Sequence, residues 1–204
     1  MATSTERLAR LLQLASPALP VGAFSYSGGL EGAIEAGIVT DAASTERWIS
    51  DVLEHSIARM EAPILARMMK APSRIAEWNE VFLASREAAE LRAESVQMGY
   101  SLRRLLADLE VAVPALEETS YPAAYASAVA AWEVEPKAAL VAYLWAWLEN
   151  QVMAAVKAVP LGQTVAQRML LAMGGRLDAL GNFTPGLAMQ SSRHETQYSR
   201  LFRS

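Results

Sequence analysis

Residues 138–148 read AALVAYLWAWL, eleven apolar positions in a row, and the architecture of the chain turns on what this run is. A helix that crosses a bilayer needs about eighteen or more such residues. This run stops at Glu149-Asn150-Gln151. It is therefore read as a helix in the middle of a bundle, apolar on all sides because neighbours surround it. Pro136, just upstream, suits a first helical turn. Pro122 and Pro160 look like further helix starts and divide the C-terminal half into helices near 122–133, 136–158 and 161–180.

The same reading extends toward the N-terminus. Thr5 to Ala15 is expected to be helical, with Leu8, Leu11 and Leu12 as its apolar stripe. SPALPVGAFSYSGG, residues 16–29, breaks that helix with two prolines and three glycines. A short helix from about Gly29 ends at Gly37 in a left-handed cap. Ser44 opens the next, with Trp48 and Val52 at helical spacing, and Pro63 suits the first turn of its successor. Ser73 to Leu109 reads as two charged helices, followed by the connector EVAVPALEETSYP. GNFTPG, residues 181–186, punctuates the chain before its end.

Composition agrees. The 204 residues are 52% apolar, enough for a sizeable core in one domain. Alanine and leucine dominate while β-branched residues are sparse. The expected fold is all-α, a single bundle of roughly eight to ten helices over residues 1–190, with 191–204 as a C-terminal docking tail. A net charge of −4 without a basic stripe speaks against nucleic acid. The absence of cysteine excludes disulfides, thiolate metal sites and thiol catalysis, and fits a reducing cytoplasm. MATSTERLAR lacks the apolar core of a signal peptide, so neither a membrane nor an export route is expected.

Chemistry must then come from few residues. HETQY places His194-Glu195 as a zinc protease would, but the second histidine of that motif falls on Tyr198. His55 is the other histidine, and no spacing links the two. SYSGGLEG lacks the Gly-Lys-Ser/Thr of a phosphate loop. Ser25 and Ser27 fall outside a nucleophile elbow, so a structured turn is preferred there to a catalytic one. Lys157, in AAVKAVPLGQ, lies two turns beyond Asn150 on one helix face. It either favours the helix dipole with its stem along apolar surface or marks a polar patch for a partner.

The tail SSRHETQYSRLFRS is richer. Ser192 and Glu195 form a capping box. In the helix it starts, Tyr198, Leu201 and Phe202 share an apolar face, and Arg200 and Arg203 another. Ordering about twelve residues costs on the order of 12–24 kcal/mol of backbone entropy. Burying those three side chains returns roughly 5–9 kcal/mol. The tail therefore needs a groove, on a partner or on its own bundle.

Two blocks, LLQLASPALPVGAFSYSGGLEGAIEAG and HETQYSRLFRS, with VKAVPLGQ between them, resemble the UreF family of urease accessory proteins. The matching blocks span about a quarter of the chain, in order and at both ends. Ser16, Pro20, Gly22, Ser25, Tyr26, Gly29, Leu30 and Glu31 carry the N-terminal motif. Gly28 stands where the family usually has glutamine. The resemblance implies an all-helical, dimeric, non-enzymatic protein without a cofactor of its own. It would bridge UreD (UreH in some organisms) and the GTPase UreG on the urease apoprotein, for GTP-dependent nickel insertion. Nickel would be cargo, and GTP would be bound by UreG. The tail residues His194, Glu195, Tyr198, Arg200, Leu201, Phe202 and Arg203 would dock on UreD, and Lys157 and Gln163 would face UreG. Two rivals are a metallochaperone that carries nickel itself, with His194 a candidate ligand, and a helical hydrolase using Ser25 or Ser27.

Overall fold

In the computed structural model the apolar run lies within a helix that spans Pro136–Ala158, and every regular element among the described residues, 3–177 and 179, is helical. The α-helices are α1 Ser4–Ala15, α2 Leu30–Glu35, α3 Ala42–Val52, α4 Ala62–Lys70, α5 Ile75–Ala84, α6 Ala89–Asp108, α7 Tyr121–Ala131, α8 Pro136–Ala158 and α9 Gln163–Gly174. Residues 53–61 form a π-helical stretch that joins α3 to α4 without a break. Taken as one rod, these leave eight helices among the described residues, within the expected range.

The centre is α8. Glu135 caps it by accepting hydrogen bonds from the Lys137 and Ala138 amides, at 2.8 and 2.6 Å, and Pro136 fills the first position, where no amide donor is missed. Leu144, Leu148, Val152 and Ala155 are fully buried, and α8 packs on α1, α2, α3, α4 and α9. No helix among the described residues is long and apolar enough to cross a membrane; Glu149, Asn150, Gln151 and Lys157 interrupt α8 too soon.

Beside it, α7 is buried over most of its length and packs on α4, α5 and α6. Small residues allow this close approach. A Cβ at Gly99 of α6 would stand 2.0 Å from the Thr119 carbonyl oxygen and 2.5 Å from the Ser120 carbonyl carbon. The connector before α7 is clamped by Asn79 of α5, which is fully buried. Its Nδ2 donates to the Glu118 carbonyl at 2.8 Å and its Oδ1 accepts from the Ser120 amide at 3.0 Å.

Three expectations need correction. Leu8 and Leu12 do not form the inner stripe of α1: they are 54% and 62% exposed, while Leu14 is buried and Leu11 packs against the core. The helix is set at that angle by Leu14 inside and by the Arg10 guanidinium over Trp132, 5.0 Å from the ring centre. Ser44 is not the residue that opens α3; Asp41 caps it, and Ser44 is its reciprocal partner three residues on. Pro63 stands in the first turn of α4, as expected, although the π stretch leads into that helix without a break. Finally, α9 starts at Gln163 and ends at Gly174, and a turn at Gly175 and Arg176 parts it from Leu177 and Ala179, which are helical again, so the expected 161–180 is not one unbroken helix.

Candidate functional site

The break after α1 does not wander into solvent. It folds over α8. Gly22 takes a left-handed conformation (φ 78°) that turns the chain into a short 3-10 helix, Ala23–Ser25, closed by the Ser25 amide on the Gly22 carbonyl at 3.0 Å. Asn150 of α8 then donates its Nδ2 to the Tyr26 carbonyl at 3.0 Å. Gly28 and Gly29 both have positive φ, and Gly29 starts α2. Ser27 Oγ accepts from the Glu31 amide at 3.4 Å. Leu30 is buried with Ala33, Val39, Ala155 and Val159, which ties α2 to the last turns of α8.

Between this folded break and α8 runs a groove of about 330 Å³, lined by residues that include Ser16, Phe24, Glu149, Asn150, Met153 and Lys157. Phe24 is 72% exposed and Met153 is exposed beside it. Burial raises the Glu149 carboxyl above its ordinary range. Lys157, exposed, makes no ion pair among the described residues. An apolar strip with an unengaged cation at its end is suited to a protein partner.

Of the residues singled out from the sequence, Ser16 and Lys157 line this groove, and Gly22, Tyr26, Gly29 and Leu30 shape or anchor its wall. Pro20, Ser25 and Glu31 are exposed on the same segment. Gln163 is exposed at the start of α9 and does not line the groove. His55 is exposed on the π stretch. His194, Glu195, Tyr198, Arg200, Leu201, Phe202 and Arg203 lie outside the described residues, as does the capping box at Ser192. Among the described residues no group of three or more histidines, aspartates or glutamates could hold a metal ion.

Beneath the groove, and sharing Ala23, Tyr121, Ala146 and Asn150 with it, lies a cavity of about 120 Å³. It holds polar groups that pattern reading missed. Glu61, the last residue of the π stretch, is buried. Its carboxylate accepts from Arg86 Nη1 at 2.7 Å and from the Tyr143 hydroxyl. Tyr143 stacks on Tyr121 at 5.5 Å and meets Tyr125 edge-on at 5.1 Å. Burial, together with the Glu61 charge, holds the Tyr143 hydroxyl far above its ordinary pKa, so it stays a donor. Glu94 of α6 faces the same space; burial and the Glu61 charge raise its pKa to about 7, against the pull of Arg86. A signal for Glu61 was present: it sits at helical spacing between Ile57 and Leu65, a carboxylate on an apolar stripe.

Comparison with known proteins bears out the resemblance to the UreF family. The UreF family model matches residues 39–174. A urease accessory protein UreF from Azoarcus sp. (strain BH72) is 56% identical, over 97% of this chain and 95% of its own. One from Dechloromonas aromatica (strain RCB) is 53% identical, over 97% and 98%. A bifunctional urease accessory protein UreEF from Bordetella bronchiseptica is 47% identical over 97% of this chain, which spans 52% of that longer protein.

Proposed function

Since the chain belongs to the UreF family of urease accessory proteins, we propose that it is a non-enzymatic scaffold of the cytoplasm, bridging UreD (UreH) and the GTPase UreG during urease maturation. It has no cofactor of its own in this reading. Nickel is the cargo of the assembly, and GTP is bound by UreG. The groove beside α8 supports the reading most directly: the N-terminal motif and Lys157, far apart in sequence, form one partly apolar surface. The bifunctional UreEF relative supports it as well, since two accessory functions share one chain there. The tail contacts UreD, and the Lys157 side, with Gln163 nearby in sequence, faces UreG.

A homodimer belongs to this proposal. Leu8 and Leu12 on α1 and Leu171 on α9, the last 81% exposed, provide apolar surface for a second copy. Sedimentation at micromolar protein should show twice the 22.1 kDa monomer mass.

The bridge is tested with Lys157→Ala. The variant should keep its helicity and its hold on UreD, while the GTPase rate of UreG in the complex changes. A folded variant with an unaltered rate removes Lys157 from the UreG surface. A variant that melts early shows that the lysine supports the fold instead.

A further inference from the structure

We propose that the cavity beneath the groove is a binding site for a guanidinium head, carried by a small organic cation or by an arginine side chain. The proposal stands apart from the urease reading and rests on the charges and unmet polar groups inside the fold. The cavity has room for several water molecules, or for one small planar ligand. Its lining residues include two carboxylates, Glu61 and Glu94, but a single cation, Arg86. Arg86 is already committed, with Nη1 at 2.7 Å from Glu61 and Nη2 at 3.8 Å from Glu87. Glu94 makes no hydrogen bond or ion pair among the described residues, so it is the surplus negative charge of the enclosure.

A second observation points the same way. Gln151 of α8 is only 2% exposed and lines the cavity, yet its side-chain amide makes no hydrogen bond among the described residues. Its carbonyl can accept from a guanidinium N–H. Trp147 on the wall provides an aromatic surface, which favours a flat cation.

The chemistry selects among ligands. A divalent metal is disfavoured, since Glu61 is held by Arg86 and Tyr143, leaving one carboxylate and one amide where hard cations take six or more oxygens. Arg86 Nε is buried without a partner and would by itself favour an anion. Two carboxylates against one guanidinium decide otherwise. Guanidinium is also more weakly hydrated than ammonium and bonds a carboxylate through two parallel N–H groups. Binding requires Glu94 to be ionised. The groups that face it are Glu61 from the π stretch, Arg86 from the turn before α6, Tyr121 from α7 and Tyr143 from α8. With its pKa near 7, the empty site should take the ligand better in mildly alkaline solution.

The test is calorimetric titration of the full chain with methylguanidinium chloride at low salt. Saturable binding is expected at pH 8. It should be at least about tenfold weaker at pH 5.5, where Glu94 is protonated. Glu94→Gln, checked for folding by its melting curve, should lose the binding at pH 8, and Gln151→Leu should weaken it several-fold. Parallel titration with Nα-acetyl-arginine amide separates the sources. Binding of both ligands indicates an arginine side chain, and binding of methylguanidinium alone indicates a free small cation. Absence of saturable binding at pH 8 overturns the proposal, as does affinity independent of pH in the unaltered chain. A stronger response to sodium acetate or magnesium chloride overturns it too.

Discussion

Replacing Glu94 by glutamine should stabilise the protein, and only above a defined pH. The carboxyl has an ordinary pKa of 4.5 and is raised to about 7, chiefly by burial, further by the Glu61 charge, and against the Arg86 guanidinium. The folded state therefore holds this proton more tightly than the unfolded chain. The resulting stability is fully present below pH 4.5 and is lost as pH rises through about 7. A shift of that size corresponds to about 3 kcal/mol, and the water that the partly exposed carboxyl retains brings this to about 1–2 kcal/mol. Glutamine mimics the protonated form and carries no such penalty. Urea unfolding of both proteins at pH 5, 6, 7 and 8 measures the difference, because the other titrating groups cancel in the comparison. The two midpoints should lie nearest each other at pH 5 and separate as pH rises to about 7, because the unfolded carboxyl ionises from pH 4.5 upward while the folded one holds its proton. By pH 8 the variant should lead by about 1–2 kcal/mol. Parallel pH profiles, or a variant less stable at pH 8, would refute the account of a buried surplus carboxylate.

Other consequences concern packing and the tail. Asn79→Ala leaves the Ser120 amide and the Glu118 carbonyl without their partner; thermal unfolding should show a loss of about 2–5 kcal/mol, with no loss if the connector holds itself. Gly99→Ala drives a methyl into the backbone at Thr119 and Ser120. Unfolding in urea should register about 1–3 kcal/mol or more, since backbone, unlike a flexible side-chain end, cannot move aside. Removing residues 191–204 should leave the melting temperature nearly unchanged while abolishing co-purification with UreD. A truncated chain that melts many degrees lower would place the tail on its own bundle.

Much of the fold could be read in advance because its punctuation is local. Pro136 and the apolar run announce α8, Gly37 ends α2, and the polar connector separates α6 from α7, each through backbone chemistry at single residues. What escaped depends on neighbours. Leu8 and Leu12 obey helical spacing, yet α1 meets α8 through Leu14 and Leu11, because Arg10 over Trp132 sets its rotation. The groove was half legible. Lys157 and the N-terminal motif were singled out separately, but their union depends on Asn150 holding the Tyr26 carbonyl, a contact across 124 positions. The Glu61–Arg86–Tyr143 cluster was missed altogether. Its members come from three elements, and only Glu61 on its apolar stripe hinted that a charge lay inside.

The measurement closest to the central claim is activation of urease apoprotein by purified UreD, UreG, nickel, bicarbonate and GTP, with and without this chain. Ammonia release from urea should appear when the chain is present and should require GTP. It should fall to background when the chain is left out or carries Lys157→Ala. Equal activation in the absence of the chain would contradict the account, because a scaffold that the assembly can do without is not its bridge.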